Sequence, residues 1–451
     1  MSDNNQSVNI KEREQTKIGF ISLLGIGIGT TIGAGVVTVT GQAIGVTGRS
    51  AWLAYLVAIV WGAITVLPYV FLSSTFIIKG GTYTCVAGNL GPRIGGIYSC
   101  MYIPMALNFA TFCVGFAQYV RSIFPGANAK VTAVVILLLF YLLNLMGIDI
   151  FVKIQNILTA SLITMLLIFG FYGITRITPE VFNFSSPEFA INGFSGFIQA
   201  VTMFIFSTVA YQILLNFSAE AEDPKKNIPK AQLGTLLVIC IVYPLVAIVA
   251  GGVLPLEEAA NQPLTVIASH MWPTPMVIAF IIFGPLAALV TTLNGNYAGY
   301  GRPLLGAAKD GWFPPVMARQ NKAGAPYMFL TLGTIIALVP ILVGYDISSI
   351  IRNMVILFNV NTLFIFLSAL AMPKKYPEKW KESKLHLPDG LYYVIMSISG
   401  ILILASIYLQ LRNLNLFVIL FTVVLYAIVI IYGNYRYKKG YVKFERDFSL
   451  K

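Results

Sequence analysis

The stretch Gly25-Ile-Gly-Ile-Gly-Thr-Thr-Ile-Gly-Ala-Gly-Val36 is apolar enough for a bilayer, yet five of its twelve residues are glycine. Each glycine inside a helix costs about 1 kcal/mol relative to alanine, so a continuous helix carries an unusual penalty here. Two readings fit. The glycines can form a small-residue face for close helix packing, with Gly29 and Gly33 at G-x-x-x-G spacing. They can also mark a break that frees backbone N–H groups at mid-membrane. Thr30 and Thr31 favour the break, because β-branched hydroxyl residues beside glycine weaken the helix and offer polar groups of their own. Unpaired backbone in hydrocarbon is tolerated only where protein or a watered cavity surrounds it, so a break implies a site.

The rest of the chain supports the membrane setting. It is 57% hydrophobic and 11% charged, with mean hydropathy +0.78, whereas soluble domains carry about 25% charged residues. Spans of about 20 apolar residues are expected near 18–45, 51–78, 95–121, 131–148, 151–175, 194–218, 231–254, 275–305, 327–344, 348–371, 391–411 and 414–434. The apolar run after the polar segment Met1–Lys17 is too long for a cleavable signal peptide, so the first span is expected to be retained. The fold class is all-α and polytopic, with twelve transmembrane helices and both termini on one side.

Charge placement orients it. Of the 30 Lys and Arg, 24 fall on the side of the termini and six (Arg49, Arg121, Lys130, Arg176, Arg352, Arg412) on the other. The positive-inside rule puts both termini in the cytoplasm and explains the net charge of +12 without nucleic acid. The opposite loops 178–192 and 256–273 hold Glu180, Glu188, Glu257 and Glu258 but no Lys or Arg, as extracellular loops would. The Lys-rich string 374–384 reads as a solvated cytoplasmic loop, with an anionic-lipid patch as the alternative. Cys85, Cys100, Cys113 and Cys240 show neither C-x-x-C nor metal-ligand spacing and read as packed thiols. No metal or cofactor is expected.

The sixth span carries Ser207, Thr208 and Gln212 in an apolar run without glycine, so a break there has much weaker support; Ser and Thr in helices often only bond their own backbone. Almost no ionisable residue falls near a span centre, Arg352 and Glu220 lying near ends. A carried cation or anion would call for an intramembrane countercharge. A zwitterion would not, since a half-helix N-terminus can face its carboxylate and exposed carbonyls its ammonium.

Three strings resemble the amino acid–polyamine–organocation superfamily, in its branch of amino acid permeases. They are Gly29-Thr-Thr-Ile-Gly-Ala-Gly-Val36, Glu220-Ala-Glu-Asp-Pro-Lys-Lys-Asn-Ile-Pro-Lys230 and Gly301-Arg-Pro-Leu-Leu-Gly-Ala-Ala-Lys-Asp-Gly-Trp-Phe-Pro314. Gly80-Gly-Thr-Tyr83 and Leu90-Gly-Pro-Arg93 support them. The resemblance implies a leucine-transporter-type inverted repeat, spans 1–5 against 6–10, plus two C-terminal helices. The corresponding division is a cytoplasmic segment 1–17, repeats 18–175 and 194–371 joined by an extracellular loop 176–193, a cytoplasmic loop 372–390, helices within 391–434 and a cytoplasmic tail 435–451. It further implies that Thr30, Thr31, Gly33, Ala34 and Gly35 present N–H groups to a substrate carboxylate. Phe206, Ser207 and Val209 would offer carbonyls to the ammonium, with Phe206 or Tyr211 closing over the cargo.

Two departures bear on coupling. Ala210 and Gln212 stand where the family often has glycine and an acid, and Gln155-Asn156 is followed by no lysine within the fifth span, where many proton-coupled relatives have one. Sodium could take the vacated place if Thr291 or Thr292 supplied hydroxyls beside first-span carbonyls; proton coupling and exchange against a counter-substrate stay open. The expected function is secondary transport of a neutral amino acid across the cell membrane by alternating access. The alternatives are an organic-cation or polyamine carrier and a non-transporting amino-acid sensor on the same scaffold. An enzyme is not expected: the only histidines, His270 and His386, lie in separate loops, and no P-loop signature occurs.

Overall fold

The computed structural model describes residues 17–33, 35–345, 347–412, 414 and 416–444. In chain order the helices are α1 (Phe20–Thr31), α2 (Thr40–Thr47), α3 (Ala51–Thr75), α4 (Gly81–Leu90), α5 (Pro92–Tyr102), α6 (Leu107–Ile123), α7 (Ala129–Leu145), α8 (Ile148–Ile174) and α9 (Gly193–Thr208). After a 3-10 segment, Ala210–Phe217, come α10 (Pro224–Gly252), α11 (Leu256–Ala259), α12 (Leu264–Met271), α13 (Thr274–Ile281), α14 (Ala287–Lys309), α15 (Tyr327–Val343), α16 (Ile347–Lys375), α17 (Pro377–Lys381), α18 (Asp389–Leu411) and α19 (Leu416–Lys438). Every expected span contains helix.

Eight helical runs among the described residues are long and apolar enough to cross a membrane, and α7 and α15 are shorter apolar helices. The first run, Phe20–Thr75, would extend roughly 84 Å as one straight helix, well beyond the ~30 Å hydrocarbon core. It is divided at Gly48, where φ is 78°. Exposed apolar residues recur at helical spacing, as with Val131, Val135, Leu138 and Leu142 on α7. Such stripes would aggregate a water-soluble protein and suit a lipid surrounding. The protein is an all-helical, multi-pass membrane protein.

The glycine-rich first helix sits at the centre, against α8, α10, α14 and the 3-10 segment. Each glycine of the stretch 25–35, on this helix or just beyond it, faces a side chain of another element. A Cβ at Gly25 would meet Asn156, at Gly27 Thr235 and Leu214, at Gly29 Thr159 and Gln155, at Gly33 Thr292, and at Gly35 Ser207. The two readings of these glycines therefore hold together: they form a packing face, and the helix also breaks among them.

Contacts gather at two ends. At the end bearing most of the Lys and Arg, Ile18 pairs with Ala221, Arg302 Nε lies 2.9 Å from Glu220 Oε1 and the Tyr83 hydroxyl donates to Asp310 Oδ2 at 2.8 Å. The C-terminal chain docks there too, with Arg436 donating to the carbonyls of Gly311 and Phe313. In the basic loop Lys374 and Lys375 are exposed, while Trp380 is buried against Phe71 and Tyr392. At the opposite end the buried Arg49 bonds Glu188 at 2.8 Å and the Gly251 carbonyl at 2.7 Å, and the Asn261 N–H donates to the Gly41 carbonyl.

Candidate functional site

The first helix stops at Thr31; Ile32 and Gly33 bend, and a π-helical turn, Gly35–Val39, leads into α2. The hydroxyls of Thr30 and Thr31 bond back to Ile26, Gly27 and Gly27 carbonyls at 2.6, 3.1 and 2.7 Å respectively. Their N–H groups belong to the ladder of α1, in which each N–H serves the carbonyl one turn earlier. Gly33 and Gly35 stand beyond that ladder, at the start of the second half-helix, the positive end of its dipole. Ala34 lies outside the described residues.

A second break lies opposite, although no glycine announces it. The α9 helix ends at Thr208, Val209 interrupts with φ −117° and ψ −4°, and the chain continues as the 3-10 segment. Ser207 and Thr208 bond back to the carbonyls of Phe204 and Ile205. Next to this break Gly35, from the first interrupted segment, leaves room for the Ser207 side chain. The buried Tyr243 hydroxyl on α10 then bridges both breaks, 2.8 Å from the Thr31 carbonyl and 3.0 Å from that of Ser207.

Between the breaks lies a cavity with about 900 Å³ of space, its solvent-open part included. Thr30, Thr31, Gly33, Gly35, Phe206 and Ser207 line it, and so does Thr292. None of the described lining residues is Asp, Glu, Lys, Arg or His. Its polarity comes from amides, hydroxyls and backbone, mixed with Phe109, Phe112, Phe206 and Phe358.

Val209 and Tyr211 do not line it. Val209 faces a side pocket with Thr65 and Gln410, and Tyr211 is 2% exposed in the core. The cause is the 3-10 geometry, with three residues per turn. That spacing turns Ala210, Ile213 and Asn216 to the cavity and sends Tyr211, Leu214 and Phe217 into packing. Phe206 alone of the two proposed lids is in place. Asn108, Gln212, Asn296 and Asn361 also reach the cavity; their signal in the sequence was a carboxamide inside an apolar run. Tyr243 left no such signal, because a tyrosine in a span is ordinary core.

Thr291 and Thr292 part company as well. The Thr291 hydroxyl bonds only the Ala287 and Ala288 carbonyls of its own helix. The Thr292 hydroxyl is within 3.1 Å of the Gly29 carbonyl, 3.4 Å of Ile32 and 2.9 Å of Ala288. One hydroxyl proton cannot satisfy three carbonyls, so the cluster is rich in oxygen acceptors. Nearby, Thr159 donates to the Gly25 carbonyl and Gln155 to that of Thr291, on the part of α8 that carries no lysine.

The strings read from the sequence converge in space: Arg302 meets Glu220, and Asp310 meets Tyr83. A family model described as amino acid permease matches residues 22–448. The chain belongs to the amino acid permease family. This is a family of transporters, not enzymes, and it implies an amino acid cargo. The permease is 24% identical over 395 residues to the branched-chain amino acid permease BcaP of Bacillus subtilis, covering 80% of this chain and 82% of that one. It is 24% identical over 330 residues to cationic amino acid transporter 9, chloroplastic, of Arabidopsis thaliana, covering 67% of this chain and 57% of that one. An uncharacterized protein of Methanocaldococcus jannaschii is 23% identical over 368 residues, covering 79% of this chain and 83% of the other.

Proposed function

We propose that this permease is a secondary transporter of neutral amino acids that works by alternating access in the cell membrane. The observation that carries the reading is the uncharged cavity between two interrupted helices. The N–H groups of Gly33 and Gly35 would receive the carboxylate, and carbonyls at the second break the ammonium, the Ser207 carbonyl with the lone pair left beside its Tyr243 contact. A zwitterion satisfies both ends internally. A polyamine or a cationic side chain would be buried without a countercharge, which weighs against those cargoes although one relative is named as a cationic amino acid transporter.

In this reading twelve passes form a five-plus-five inverted repeat with two further helices. The first set is α1–α2, α3, α5–α6, α7 and α8; the second is α9 with its 3-10 segment, α10, α13–α14, α15 and α16; α18 and α19 follow. The break falls in the first member of each set, which supports the repeat and the division of the chain at 18–175 and 194–371. The basic end is cytoplasmic with both termini, as the distribution of Lys and Arg supports. The Arg302–Glu220 and Tyr83–Asp310 contacts close one end and the Arg49 contacts the other, to be released in turn.

The oxygen atoms around Thr292 support sodium as the coupling ion. The carbonyls of Gly29, Ile32 and Ala288 gather on the Thr292 hydroxyl, all hard oxygen donors of the sort sodium prefers. Counterflow in proteoliposomes tests the whole reading: labelled neutral amino acids should exchange, polyamines should not compete, and an inward sodium gradient should drive net uptake. Competition by polyamines at the potency of neutral amino acids would refute the cargo. An equal rate with potassium replacing sodium would refute the ion.

A further inference from the structure

Three carboxamides reach the central cavity from three separate parts of the fold: Asn108 on α6, Gln212 on the 3-10 segment and Asn361 on α16. In each the side-chain oxygen is buried without a hydrogen-bond partner. Gln212 and Asn361 are only 8% and 4% exposed. The Asn361 amide is not free to turn over, because its Nδ2 donates to the Leu357 carbonyl at 2.8 Å and the reversed amide would set two oxygens against each other. Its oxygen is thus an acceptor held ready.

The contrast with the neighbouring asparagines sharpens the point. Asn216 Oδ1 accepts from the Thr82 N–H, and Asn296 Nδ2 donates to the Thr292 carbonyl. Those two serve the protein. Buried polar groups are nearly always paired, so three carboxamides that line a single cavity, each with one buried end unpartnered, describe a lining that wants hydrogen-bonding partners. With no carboxylate in it, the lining suits a neutral donor rather than a cation. The aromatic rings of Phe206 and Phe358, 6.2 Å apart between centroids, flank the same space.

We propose that these carboxamides form the side-chain subsite, and that the preferred cargo is an amino acid ending in a carboxamide, of the glutamine and asparagine kind. The inference rests on the transporter reading above and names its substrate class. An aliphatic side chain would leave every one of these groups unpaired, the circumstance in which polar sites discriminate most strongly. A hydroxyl brings one donor; a carboxamide brings two, with an acceptor and a flat face for the rings.

The test is counterflow by the full-length protein in proteoliposomes, with glutamine, asparagine, leucine and lysine at equal concentration. Glutamine or asparagine should exceed leucine and lysine by at least about tenfold. In Gln212→Leu and Asn361→Leu the ratio of glutamine to leucine counterflow should fall about tenfold. Leucine or lysine matching glutamine in the unaltered protein overturns the proposal, and so does an unchanged ratio in both variants. If a variant does not fold, the unaltered protein's ranking decides alone. Absence of counterflow by all four amino acids would instead refute the transporter reading.

Discussion

Replacing Tyr243 by phenylalanine removes one oxygen from the point where the two broken helices are tied. That oxygen donates toward the Thr31 carbonyl at 2.8 Å and the Ser207 carbonyl at 3.0 Å. The ring stays, so packing around this fully buried residue loses almost no volume. The single phenolic proton is shared between the two carbonyls, so the loss is that of one hydrogen bond, about 1 kcal/mol net. At about 1.4 kcal/mol per decade that corresponds to about fivefold in an equilibrium constant.

Where the loss appears distinguishes a positioning role from a purely structural one. If Tyr243 holds the breaks in the geometry that receives substrate, half-saturation for counterflow should rise about fivefold while the protein still purifies folded. If it serves packing alone, the melting temperature in detergent falls and half-saturation stays put. Half-saturation within twofold of the unaltered protein, in folded Tyr243→Phe, would refute the reasoning.

Two more substitutions probe the same centre. Gly33→Leu puts a branched side chain against Thr292 in the space between the breaks; substrate binding should be lost, and near-normal binding in folded protein would remove Gly33 from the carboxylate site. Thr292→Val keeps the shape and deletes the hydroxyl that faces the Gly29 and Ile32 carbonyls. Sodium stimulation of uptake should drop at least about tenfold, as for loss of a single liganding oxygen, while sodium-independent exchange of preloaded substrate continues; undiminished stimulation would exclude this place for the ion.

Much of the site was legible because membranes restrict what a sequence can mean. Polar or glycine-rich stretches inside apolar spans are costly unless used, which is why Gly29–Val36 stood out and why Thr30, Thr31, Gly33, Gly35, Phe206 and Ser207 were found on the cavity. The errors had one cause, the local helical geometry after the second break. Tyr211 looked like a lid, but a 3-10 repeat turns it into the core and brings Asn216 round instead. The dual role of the glycines was also hidden, since packing partners such as Thr235, Thr159 and Thr292 come from far along the chain.

By itself the sequence determined that this chain lives in a membrane, where its helices run, which loops are basic, and that one helix is too rich in glycine to continue unbroken. Those are local properties: hydropathy, charge count and backbone propensity act over a turn or a span. The tertiary structure alone decided that Ser207 enters the gap left by Gly35, that Tyr243 ties both breaks, that Thr292 rather than Thr291 faces the first-span carbonyls, and that three carboxamides line one cavity. Each joins residues from separate helices, and only packing determines which faces of those helices meet.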